Sequence, residues 1–165
     1  MGRATAHLFA DEGAKVAVTD LDPAKVKVVV DEIHGAGGEA EGWALDVADL
    51  GRIHEVVGLV QSTLGDIDIL VNNAGIAIGA SLEQSDEDYE PSWHRAMDVM
   101  LTSHQRLARA CLSQLRRNGE GRIINIASVG GMGGAYEIPP AYQASKAAII
   151  NLTRNLAVAW ADRGV

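Results

Sequence analysis

Tyr142 and Lys146 stand four residues apart in AYQASKAA. On a helix that spacing puts both side chains on one face. A phenol, with a pKa of ~10, is a poor base near neutrality. An ammonium beside a phenol favours the phenolate, and a tyrosine so placed can exchange a proton with an alcohol or carbonyl oxygen. Ser128 ends the apolar run GRIINIAS and could hold that oxygen by a hydrogen bond. Taken alone the pair is a weak signal. A Tyr and a Lys four apart often arise by chance, and a half-exposed helix start explains them as well.

Other candidates end other apolar runs, and in an open parallel sheet ligands bind at the carboxyl ends of the strands. Asp20 closes VAVTD, eighteen residues after Gly2. That is close to the spacing at which a carboxylate meets an adenosine ribose after a glycine fingerprint. It would accept from the ribose hydroxyls and repel a 2′-phosphate, which favours NAD over NADP. On position alone, a strand-end turn or a second cap for the next helix is the simpler reading. Asp46 and Val47 end the following strand. The carboxylate could take an adenine amino group and the valine could pack on the ring, though an Asp there often just caps a helix. Asn72, Asn73, Ala74 and Gly75 follow IDILV. Small residues at a strand end let backbone approach a ligand, while Asn and Gly are also ordinary turn residues.

The elements that must position these residues alternate. Arg3 to Glu12 reads as a helix stopped by Gly13, and Lys15 to Asp20 as a buried strand. Asp22 is an N-cap with Pro23 at the first helical position, and Gly35 can end that helix. EAEGWALD is a strand. Asp49 caps the next helix, whose Ile53, Val56, Val57, Val60 and Leu64 share one face, and Gly65 closes it. IDILVNN is a near-continuous apolar run, as expected of a parallel strand covered on both faces. A long helix is expected from about Trp93 to Arg117, GRIINIAS as another buried strand, and a helix from about Pro140 to Ala161. Strands alternating with helices imply an α/β doubly wound parallel sheet with right-handed crossovers. The least regular stretch is Ile76 to Pro91, where Asp86, Glu87 and Asp88 mark a solvated loop or a helix start. Val129 to Gly134 reads as a mobile loop beside a substrate pocket.

The 165 residues suit one domain, 1–165, with one core. Twenty-two acidic against 14 basic residues leave a net charge of −8, which argues against a nucleic-acid or anionic-membrane surface. Arg116 and Arg117 read as a solvated helix end near Gly119. The one cysteine, Cys111, excludes an internal disulfide and reads as a small core residue. No apolar run is long enough to span a bilayer, and the N-terminus lacks a signal-peptide layout, so the expected location is cytoplasmic. His7, His34, His54, His94 and His104 show no convincing metal-ligand spacing, and no metal is expected. His94 and His104 read as helix-surface or interface residues, with a place near the substrate side the less favoured option for His104.

Gly2, Asp20, Asp46, NNAG, NIAS and YQASK, in this order, resemble the short-chain dehydrogenase/reductase family over essentially the whole chain, and DILVNNAG with YQASK is a specific combination. The resemblance implies a Rossmann-like fold and hydride transfer between a secondary alcohol or ketone and NAD(H). It implies that Tyr142 is the catalytic acid/base, that Lys146 activates it and binds the nicotinamide ribose, and that Ser128 orients the substrate oxygen. Gly2, Asn73, Ala74 and Gly75 would line the cofactor cleft, Asp46 and Val47 would hold adenine, and Asp20 would select NAD. It also implies a homo-oligomer through the helices at 93–117 and 140–161.

The sequence departs from the family in three places. Gly2 matches the last glycine of the family's T-G-x-x-x-G-x-G loop, so the first, central strand and most of the diphosphate cradle are expected to be missing. Their loss would leave a gap in the sheet. The chain stops at DRGV, where the family continues into further strands. A gene fragment, or a start assigned at an internal Met codon, is expected, with weak or no turnover. The alternative is a non-catalytic module that acts at most in dimerisation. Met100 stands where the family usually has an Asn that holds a relay water, which a thioether cannot replace. The span from Ser128 to Tyr142 is about one residue longer than usual. The substrate is not readable.

Overall fold

The computed structural model describes residues 1–76, 81–134 and 138–165. The chain packs as two compact units, Met1–Ile67 and Asp68–Val165. Each alternates helices with parallel strands.

In the first unit, α1 (Gly2–Asp11) leads into β1 (Lys15–Asp20), which pairs in parallel with β2 (Glu39–Ala44) from Lys15↔Glu39 to Asp20↔Ala44. The crossover between the strands is α2 (Pro23–Gly35). The Asp22 carboxylate accepts from Ala24 N at 2.9 Å and so satisfies one of the donors that a helix start leaves unpaired. Gly35 is the last helical residue, but the chain turns at Gly37, whose φ of +88° an L side chain would resist. The core here is Ala10, Val29, Ile33 and Ala40, with Ala6, Val16, Val18 and Val30 packed against it. In α3 (Leu50–Leu64), capped by Asp49 on Arg52 N at 3.0 Å, the face Ile53, Val56, Val57 and Val60 is buried, and Leu64 is half-buried.

In the second unit, β3 (Ile69–Asn72) pairs in parallel with β4 (Arg122–Asn125), from Ile69↔Arg122 to Asn72↔Asn125. Between them run α4 (Asp86–Met97), a π-helical turn (Asp98–Thr102) and α5 (Ser103–Leu115). The helical run therefore begins at Asp86 and not near Trp93. Asp86, Glu87 and Asp88 form its first turn, where carboxylates are favoured by the unpaired N–H groups and the helix dipole. Of the irregular stretch 76–91, residues 77–80 lie outside the described residues. The last helix is α6 (Pro140–Trp160), followed by a 3₁₀ turn at Ala161–Arg163. Among the described residues no helix is long and apolar enough to cross a membrane.

The strands are less covered than their apolar runs imply. Ile69 in β3 and Ile124 in β4 are 42% and 40% exposed, and β1 alternates between half-buried and exposed residues. The described strands form two two-stranded sheets, β1–β2 and β3–β4, so every strand has a ladder partner on one side only. Apolar content suits a strand for burial on both faces, but its neighbours decide whether burial happens.

Candidate active site

The first turns of α6 carry Tyr142 and Lys146. The four-residue spacing does what a helix dictates: Lys146 Nζ lies 5.7 Å from the centroid of the Tyr142 ring. Lys146 is 4% exposed, and its ammonium donates to the Ile126 carbonyl at 2.6 Å, just past the end of β4. Ile126 N in turn donates to the Asn72 carbonyl at the end of β3 (3.0 Å). Desolvation lowers the pKa of Lys146, and the charge of Tyr142 opposes that shift.

Ser128 has extended backbone and caps the 3₁₀ turn Val129–Gly131. Its Oγ accepts from Gly130 N at 3.1 Å, which leaves the hydroxyl proton available to donate. A Cβ built on Gly130 would stand 3.6 Å from Ser128 Oγ and 3.6 Å from Tyr142 Cε1, so the serine and tyrosine flank one point. The loop expected to be mobile is packed where it begins. Gly130 is buried, and a Cβ on Gly131 would fall 2.6 Å from the Lys146 carbonyl carbon. Only a glycine lets this turn lie against the backbone of α6. Of the span from Ser128 to Tyr142, residues 135–137 lie outside the described residues.

The second unit also holds the residues after β3. Asn73 and Ala74 are half-buried and Gly75 is exposed. Asn72 is buried and donates to Asn125 Oδ1 at 2.9 Å, and Asn125 Nδ2 donates to Thr153 Oγ1 at 2.9 Å. The first unit holds Gly2, Asp20, Asp46 and Val47. Gly2 opens α1, and Asp20 closes β1 and is exposed. Asp20 Oδ1 accepts from Asp22 N at 3.0 Å, and Asp46 Oδ1 from Ala48 N at 2.9 Å. Each carboxylate therefore serves a strand-end turn, and that turn also holds it in place at the strand end.

One reading on the helix run changes. His94 is a surface residue, 3.3 Å from Glu90. His104 is not: it is 1% exposed, because it falls in the buried stripe Met100, His104, Ala108, Cys111 and Leu115. That spacing of four, four, three and four was visible in the sequence. Burial, helped by the charge of Lys146, pushes His104 down to about 4. Met100 is fully buried, its Sδ 3.9 Å from Ser145 Oγ.

The short chain dehydrogenase family profile matches residues 1–165. The chain belongs to the short-chain dehydrogenase family. It is 37% identical over its whole length to the hydroxy(phenyl)methyl-succinyl-CoA dehydrogenase subunit BbsD of Thauera aromatica, and covers 64% of that protein. It is likewise 37% identical to the 3-oxoacyl-acyl-carrier-protein reductase FabG of Vibrio cholerae, covering 65% of it. A crystal structure of a short-chain dehydrogenase/reductase from Burkholderia xenovorans matches 98% of the chain with a TM-score of 0.90 and 31% identity, and the match spans 63% of that protein. The chain thus spans under two thirds of these short-chain dehydrogenase relatives, and its α/β architecture is that of a Rossmann-like short-chain dehydrogenase fold.

Proposed function

We propose that this chain carries the working part of an NAD(H)-dependent, cytoplasmic oxidoreductase that interconverts a secondary alcohol and a ketone. The observation that carries this reading is the arrangement of Ser128, Tyr142 and Lys146: two hydroxyl-bearing side chains flank one point, with a buried ammonium beside the phenol. The residue types at the strand ends of each unit are those that the parts of a dinucleotide call for. Asp20 offers an exposed carboxylate for ribose hydroxyls, Asp46 an acceptor for adenine with Val47 beside it, and Asn73, Ala74 and Gly75 little side-chain bulk. Gly2 stands at the N-terminus of α1, where an anion is favoured.

When bound, NAD accepts or supplies the hydride. Tyr142 moves the proton at the substrate oxygen. Ser128 donates to that oxygen and orients it. Lys146 supplies fixed positive charge beside Tyr142 and, through Ile126, ties it to the end of the sheet. Asp20 discriminates against a 2′-phosphate by charge.

NADH titration followed by fluorescence tests binding. Saturable binding weakened by Asp20→Ala, with NADPH weaker than NADH, is expected. Tyr142→Phe should leave binding intact and lower turnover about 10²–10⁴-fold. Full turnover in Tyr142→Phe would sink the assignment. Pairing through the helices at 93–117 and 140–161 is proposed with it, on a helix that leaves Val158 85% exposed. Sedimentation that finds only monomer removes that part.

A further inference from the structure

In the first unit, the outer edge of β2 is closed by side chains. Leu45 N donates to the Asp20 carbonyl at 2.9 Å. Backbone groups alternate sides along a strand. The carbonyls of Ala40, Gly42 and Ala44 therefore face away from β1, where the described residues place no further strand. Two of these three carbonyls accept from side chains. His34 Nε2 lies 2.8 Å from the Ala40 carbonyl, and Arg52 Nε donates to the Ala44 carbonyl at 3.0 Å. His34 comes from the end of α2 and closes the start of the strand. Arg52 comes from the first turn of α3 and closes the carboxyl end, two residues before Asp46.

Arg52 also holds the connection from β2 to α3 at both of its ends. Its backbone N donates to the Asp49 carboxylate at 3.0 Å, while its side chain reaches back to Ala44. Residues 45–48 lie between those two contacts. Arg52 Nη1 stands 2.8 Å from Glu55 Oε2, one turn further along α3, which steadies the guanidinium. Within the connection, Leu45 is buried and bonded to Asp20. Ala48 N donates to Asp46 Oδ1 at 2.9 Å, and Asp49 N to the Asp46 carbonyl at 3.0 Å. A hydrogen bond from a guanidinium is charge-assisted and stronger than the neutral backbone bonds around it.

We infer that Arg52 is a positioning residue for the adenine end of the cofactor. By fixing the Ala44 carbonyl against the start of α3, it sets where the Asp46 carboxylate and the Val47 side chain stand. Its effect runs through the backbone of residues 45–48. The role toward a cofactor rests on the reading of Asp46 and Val47 as the adenine contacts, whereas the ordering of the connection does not. His34 supplies the comparison on the same edge. It covers Ala40, four residues before Ala44, so its loss loosens the edge at the end remote from Asp46.

The test is NMR on the 165-residue chain, titrated with adenosine and followed by amide exchange, so it needs no turnover. Adenosine carries adenine and ribose but no charge, so loss of the Arg52 cation cannot weaken it by Coulomb attraction. In the wild type it should shift the amide signals of Asp46 and Val47 saturably. Arg52→Met keeps the apolar stem and loses the donor. It should weaken adenosine binding about tenfold and speed amide exchange at Leu45 and Ala48. His34→Phe should leave both readouts at their wild-type values. Unchanged adenosine affinity or unchanged exchange in a folded Arg52→Met would overturn the inference. An equal loss in His34→Phe would do the same, because it would trace the effect to the edge as a whole. If Arg52→Met does not fold, the wild-type Arg52 Nε proton decides: slow exchange with water supports the tie to Ala44, and fast exchange sinks it. Wild-type adenosine that shifts neither Asp46 nor Val47 would sink the adenine reading and with it the role of Arg52 toward a cofactor. The exchange measurement tells that outcome apart from a failure of the tie itself.

Discussion

Burial disfavours a charged His104 ring, and the Lys146 ammonium adds to that, so the folded protein resists protonating it until about pH 4. The unfolded chain takes up that proton near pH 6.5. A folded pKa below the unfolded one means that the full stability is present above about pH 6.5 and is lost as pH falls toward about 4. The loss between about pH 7.5 and about pH 5.5 should be on the order of 1 kcal/mol. Urea unfolding midpoints at the two pH values measure it, and His104→Gln should flatten the difference. A wild-type midpoint that does not fall at the lower pH contradicts the assignment. The Glu32 carboxylate is held below its ordinary 4.5, first by its hydrogen bond from His7 and then by Arg3. Its contribution is lost at lower pH, so the two windows separate. Cys111 makes a second residue-scale prediction. Burial pushes its thiol up to about 12, so a thiol reagent near neutral pH should label it only after unfolding. Prompt stoichiometric labelling of the folded protein would show that the stripe is open.

Elements follow their local rules where partners are near in sequence. Asp22 and Asp49 cap the helices that their positions predict, because a capping carboxylate reaches only two or three residues along its own chain. Asp22→Ala should cost about 1 kcal/mol in chemical denaturation, and no change would mean that the cap is idle. The start of α4 was harder to read, since the apolar pattern begins near Trp93 while the helix is set by acidic first-turn residues that bury nothing. The Gly-rich run Val129 to Gly134 reads from sequence as a mobile loop. In the structure Gly131 serves close packing against α6. Gly131→Ala should push the turn off Lys146, cost about 1–3 kcal/mol, and lower turnover more than it lowers NADH affinity. A variant of wild-type stability would show that the turn is free to move.

At the scale of the molecule, the two compact units make core substitutions local. Ile33 lies in the first and Ile149 in the second, at 1% and 0% exposed. Truncating either to alanine should cost about 2–5 kcal/mol. Amide exchange should rise first in the unit that carries the change. Equal acceleration across both units from either substitution would show that they unfold as one.

The sequence by itself determined the family, the alternation of helix and strand, the caps, and which strand ends carry polar and small residues. Those features depend on spacings of a few residues and on motifs that stay together in the chain. Tertiary structure decided how far the strands are buried, that Lys146 is anchored on Ile126, twenty residues away, and that Asn72 is tied to Asn125, fifty-three residues away. It also decided that His104 lies inside. A histidine in an apolar stripe satisfies a surface reading or a buried one until the opposing elements are in place, because its ring is polar at the edge and apolar on the face. Burial first, and then Lys146 on α6, keep the ring neutral, and the Asn72 backbone on β3 lies against it.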